Sequence, residues 1–202
     1  MNLRRPKTEM PPYTLSFANR QRVMRVDRRR LARLARSVLA REQVARAEVS
    51  VALVDDRQIQ IVNREFLSHD SPTDVISFLL NGDAGAHNRA KAPRLLEAGR
   101  GLVGRTRRRG NIASRVARRG AGKSLDGEIV ISAETACLVA GDYGTTPAAE
   151  LALYLVHGLL HLCGYDDASP SEKRLMRRRE AEALHDWNVS ARGRRSRSPG
   201  KK

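Results

Sequence analysis

Aromatic side chains are scarce, with Phe, Trp and Tyr making up only 4% of the 202 residues. A core must therefore be assembled from Leu, Val, Ile and Ala, and a nucleic-acid platform that stacks bases on successive rings has too little material. Any RNA contact is expected to be chiefly to phosphate. Cysteine is nearly absent too. Cys137 and Cys163 sit in periodic apolar segments, and the opening MNLRRPKTEMPP lacks the apolar stretch of a secretory signal, so a reduced cytoplasmic location is expected. Long apolar runs are missing: LALYLV, before His157, falls far short of the roughly 20 residues that span a bilayer. No membrane association is expected. With 41% apolar residues the chain suffices for one domain of ordinary size and hardly for two.

Acidic residues are lacking in two places, and this locates the formal net charge of +16. Residues 81–124 hold 12 Lys or Arg against Asp83 and Glu97, and residues 189–202 hold six against none, whereas the rest of the chain carries 20 of each sign. Both basic segments are rich in Gly, Ser and Arg and poor in periodic apolar residues, a composition that buries too little surface to offset its ordering entropy. The expected layout is a flexible N-terminus (1–19), a domain over 20–188 with a disordered basic insertion at about 81–124, and a disordered basic tail (189–202).

Within the domain, residues 21–27 alternate apolar and basic side chains and predict a first strand. Asp27 then suits the N-cap of a helix carrying Leu31, Leu34, Ala35, Val38 and Leu39 on one face. VSVALV (49–54) has the β-branched density of a buried strand. Asp55 or Asp56 begins a second helix with Ile59, Val62 and Phe66 on one side, and strands follow at 73–80 and 126–132. A short helix over 133–144, a long one from Thr146–Pro147 to Gly164, and a last one opened by the Ser169–Glu172 capping box and running to about Trp187 complete the chain. Helices and strands mixed without a regular alternation predict an α+β domain.

Chemistry concentrates in HGLLHLCGYDD (157–167). His157 and His161, four apart on a helix, project from one face a turn apart, which lets two neutral imidazoles reach one cation. From the pair alone, a metal and two satisfied side chains are open alternatives. Context favours the metal, because Gly164 ends the helix and lets the chain bring Asp167 back toward the same point. Two imidazoles, a carboxylate and an open position make a catalytic type of zinc site, with one ion per chain. A metallopeptidase of the HExxH type would need a glutamate beside the first histidine, where Gly158 stands. Asp166 is the nearest substitute base, or else a turn carboxylate.

The same string resembles the YbeY signature H-G-x-L-H-L-x-G-Y-D-H at every fixed place but the last. NREFLSHDSPTDVISF (63–78) resembles the family segment centred on P-T-D-V-L-S-F, and LDGEIVIS (125–132) its L-G-D-I-V-I strand, so the likeness covers most of residues 20–188. It implies an α+β fold with a four-stranded sheet, the metal site on a helix of the C-terminal half, and a zinc-dependent single-strand endoribonuclease that matures ribosomal RNA and serves ribosome quality control.

Three departures stand against that pattern. The third ligand, histidine in most relatives, is Asp167, which lowers the site's charge by one. The position aligned with a phosphate-meeting arginine holds Leu67; Arg64, a helical turn back, is a substitute or else a solvated helix residue. The insertion carries Arg105, Arg107, Arg108 and Arg109, with Arg118 and Arg119, which have no counterpart in the family motif and are expected to contact ribosomal RNA or the ribosome through phosphates. The contrasting expectation, which Leu67 encourages, is a non-catalytic ribosome-assembly factor with a structural metal.

Overall fold

Asp27 accepts a 2.9 Å hydrogen bond from the Arg30 amide, satisfying one of the orphan donors of helix α1 (Arg28–Arg41) as an N-cap should. Leu31, Leu34, Ala35, Val38 and Leu39 form its buried stripe. The computed structural model describes residues 12–82 and 118–195. Around α1 it places β1 (Tyr13–Asn19) and β2 (Arg46–Val54), followed by α2 (Asp56–Leu67), β3 (Val75–Gly82), β4 (Ser124–Ser132), α3 (Ala133–Tyr143), α4 (Pro147–Cys163) and α5 (Pro170–Arg195). The strands form one sheet in the order β1-β2-β4-β3. β1, β2 and β4 run parallel, and β3 pairs antiparallel with β4. The chain is thus an α+β domain with a four-stranded mixed sheet, as expected.

Alternation along the strands divides the core in two. Val49, Val51 and Leu53 of β2, with Leu125, Ile129 and Ile131 of β4, belong to the large cluster that also takes in α1, α4 and α5. The residues between them, Ala52, Val54 and Val130, join Ile76 and Phe78 of β3 under Ile59 and Val62 of α2. α4 lies deepest, packed against α1, α3, α5, β3 and β4, which is why its sequence is apolar nearly all round. Its approach to the sheet depends on two glycines. A Cβ at Gly158 would meet Cγ2 of Ile129 at 3.0 Å, and one at Gly127 would meet the Leu162 side chain at 2.8 Å and the Phe78 carbonyl at 2.9 Å.

Both ends of α4 follow local chemistry. The Thr146 hydroxyl accepts from the Ala149 amide, Pro147 takes the first helical position, and Gly164 closes the helix in the left-handed region at φ 98°. The Ser169–Glu172 capping box is also formed, each side chain accepting from the other's backbone amide.

Three expectations are corrected. The first strand lies at Tyr13–Asn19, inside the stretch expected to be flexible, and not at 21–27. There the Gln21 side chain knots the backbone instead, donating to Asn19 Oδ1 and to the Met24 carbonyl while accepting from the Met24 amide. The basic insertion is structured at its edges, since Asn81 and Gly82 end β3, and 118–123 turn into β4 at Ser124. Helix α5 continues through Arg195, into the segment expected to be a disordered tail. The rest of the insertion, including Arg105, Arg107, Arg108 and Arg109, lies outside the described residues, as do 196–202. Among the described residues no helix is long and apolar enough to cross a membrane.

Candidate metal centre

His157 and His161 occupy successive turns of α4, and their Nε2 atoms face each other at 2.9 Å. Each ring is held from behind. Nδ1 of His157 lies 2.7 Å from Oε1 of Glu180 on α5, and Nδ1 of His161 lies 3.0 Å from the Tyr165 carbonyl. A carbonyl and a carboxylate accept, so both Nδ1 atoms carry the proton. Both Nε2 lone pairs then point at one spot, and two such acceptors stay 2.9 Å apart only with a positive charge between them, either a shared proton or a cation. Imidazoles anchored through Nδ1 with Nε2 left open have the donor set and outer support of a zinc site. The residues fit such an ion.

Electrostatics separates the rings. Burial on its own would lower the His157 pKa, but the Glu180 hydrogen bond and the charges of Glu180, Asp167 and Asp74 outweigh it and leave it raised. His161 is lowered by burial and by the neighbouring His157, against the opposing pull of Asp167, Tyr165 and Asp166.

Asp167 acts on both rings through its charge. Among the described residues, however, no three His, Cys, Asp or Glu side chains come together as a ready three-donor site. Asp166 serves the bend, its carboxylate accepting the Asp167 amide at 2.7 Å.

The pair opens on a cleft of about 170 Å³ lined by Leu67, Asp74, Val75, Ile76, Ser77 and Gly158 besides the two rings. Leu67, at the C-terminal end of α2, thus faces the histidines and supplies an apolar wall there. Arg64 does not line the cleft; it makes a 3.8 Å ion pair with Asp70, both side chains largely exposed. Asp74 is fixed at the cleft edge by the Thr73 hydroxyl and the Val75 amide, which both donate to Oδ1. Arg118 and Arg119, expected to meet RNA, are engaged within the fold. Arg118 bridges Glu42 at 3.1 Å and Glu182 at 3.2 Å, and Arg119 donates to the Gly164 carbonyl at 2.9 Å.

Glu180, the Tyr165 carbonyl and Asp74 escape a reading of the sequence. Glu180 comes from α5, an Arg-rich helix where nothing local marks it, and Asp74 lines the cleft from the start of β3, whereas the Tyr165 carbonyl lies in the bend just after α4, where a backbone acceptor leaves no side-chain signal.

Residues 16–188 match the family described as Endoribonuclease YbeY. The chain is 34% identical over 161 residues to the Endoribonuclease YbeY of Pelotomaculum thermopropionicum, covering 79% of this chain and 86% of that one. It is 38% identical over 153 residues to that of Moorella thermoacetica, covering 75% and 81%. A solution structure of a Thermotoga maritima protein aligns over 94% of this chain and 99% of its own at 19% identity, with a TM-score of 0.49.

Proposed function

The chain belongs to the YbeY family, and on that premise we propose that it is a zinc-dependent endoribonuclease, cutting single-stranded RNA in the cytoplasm during ribosomal RNA maturation and ribosome quality control. The observation that carries this reading is the opposed Nε2 pair beside the cleft, with each ring anchored through its other nitrogen. His157 and His161 would hold the ion, with Asp167 as third ligand from the bend. When bound, zinc supplies Lewis acidity to a phosphodiester oxygen or to the attacking group.

The chain's own residues do the rest. Glu180 and the Tyr165 carbonyl fix the orientation of both rings before substrate arrives, so the donors need no rearrangement. β3, at the edge of the sheet, forms one wall of the cleft, where Ser77 and, just before the strand, Asp74 face an incoming RNA strand. Leu67 and Val75 exclude water from the inner wall. Affinity for RNA comes mainly from Lys and Arg neutralising phosphates, a contribution that weakens as salt rises and does not discriminate sequence.

A second reading has one specific observation in its favour. Leu67 stands in the cleft where a phosphate-binding cation would be useful, while Arg64 is turned to Asp70. On that reading the chain binds RNA without cutting it, and the metal is structural. Incubation with single-stranded and structured RNA, beside a His157→Ala variant, decides between them. The proposal expects cleavage by the wild type that the variant lacks; cleavage surviving unchanged in the variant would remove the histidine pair from the reaction.

A further inference from the structure

Residues 118–123 enter β4 by a compact turn, with the Ala121 amide bonded to the Arg118 carbonyl, Lys123 to Gly120 and Gly122 to Gln43. The turn is pressed against the end of α1, where a Cβ at Gly120 would meet Val44 at 2.8 Å and the Glu42 carbonyl at 3.0 Å. From this base two cations reach the C-terminus of α4. Nζ of Lys123 donates to the Cys163 carbonyl at 2.9 Å, and Nη1 of Arg119 donates to the Gly164 carbonyl at 2.9 Å. The Arg119 guanidinium also lies 5.2 Å from the centre of the Tyr165 ring. The last carbonyls of a helix lack intrahelical donors and carry the negative end of its dipole, so cations there satisfy a local need.

The consequence extends one residue further. Tyr165 follows the clamped Gly164, and its carbonyl is the acceptor that fixes Nδ1 of His161. Its hydroxyl is held as well, donating to Oε2 of Glu42 at 2.7 Å and accepting from the Arg119 amide at 3.4 Å. We propose that Arg119 and Lys123 are positioning residues for His161, which hold the Gly164–Tyr165 bend so that the Tyr165 carbonyl sets the ring, and thereby tie the end of the basic insertion to the functional pair. This inference rests on the reading of His157 and His161 as that pair. Ordinary helix capping would stop at stability; a positioning role also moves the ring.

The test uses the full chain labelled with ¹⁵N and free of metal, comparing wild type, the double variant Arg119→Ala/Lys123→Met and the conservative Arg119→Lys. The ring signals decide. In the wild type the His161 Nδ1 proton, held by the Tyr165 carbonyl, is expected to exchange slowly with solvent, and its absence there would overturn the proposal. The double variant is expected to lose that protected signal, and Arg119→Lys to keep it. A protected signal identical in wild type and double variant would overturn the proposal. Should the double variant fail to fold, Lys123→Met alone is read against the wild type by the same criterion. Chelator competition then adds zinc affinity, expected to fall about tenfold in the double variant. A wild type with no zinc affinity would remove the metal reading and leave the clamp to be judged on the ring signal.

Discussion

Oε1 of Glu180 lies 2.7 Å from Nδ1 of His157, joining the middle of α5 to the penultimate turn of α4. Both side chains are shielded, His157 exposing 26% and Glu180 14%. The carboxylate therefore orients the ring and raises its basicity in a partly desolvated setting, where such a bond is stronger than at the surface.

Replacing Glu180 by Gln keeps the shape and an acceptor but removes the charge. Zinc affinity, measured by competition with a chromophoric chelator, is expected to fall about tenfold, or roughly 1.4 kcal/mol. The fold should remain, as judged by an unchanged circular dichroism spectrum. An unaltered affinity would show that Glu180 does not support a metal ligand.

Arg118, expected at an RNA surface, bridges two acids within the fold, one of them the buried Glu42. Arg118→Leu removes this ion pair from the Glu42 carboxylate, to which the Tyr165 hydroxyl still donates. A loss of about 1–3 kcal/mol in urea unfolding is expected, while the salt dependence of RNA binding should hardly change. The opposite pattern, full stability with a flattened salt dependence, would place the role of Arg118 in RNA contact and not in the bridge.

Gly127 sets how closely α4 lies on the sheet. Gly127→Ala places a methyl 2.8 Å from the Leu162 side chain and 2.9 Å from the Phe78 carbonyl, and the backbone atom has little room to yield. The overpacking is expected to cost about 1–3 kcal/mol in urea unfolding. A variant as stable as the wild type would show that the helix moves off the sheet without penalty.

Local chemistry made much of this fold legible. Asp27, Thr146–Pro147, Gly164 and the Ser169–Glu172 box mark helix ends by satisfying orphan backbone groups, a need that sequence reveals directly. The spacing of His157 and His161 placed two rings on one face because helical geometry leaves no other arrangement. β1 was misplaced because YTLSFAN and RQRVMRV both alternate, and only the Gln21 side chain, bonding around its own turn, distinguishes them. The support of the pair was illegible for another reason. Glu180 comes from α5, and Arg119 and Lys123 come from the far side of the insertion, so contacts at such separation leave no periodic trace. Leu67 was readable as a departure, and the cleft now shows what it does, which is to wall the site with an apolar side chain.

Whether the facing imidazoles of His157 and His161 grip a cation is decided by elemental analysis of the purified full chain. Close to one zinc ion per wild-type chain is expected, and none in the His157→Ala or His161→Ala variants. A wild type that takes up no zinc, or variants that retain it in full, would show that the pair holds no ion.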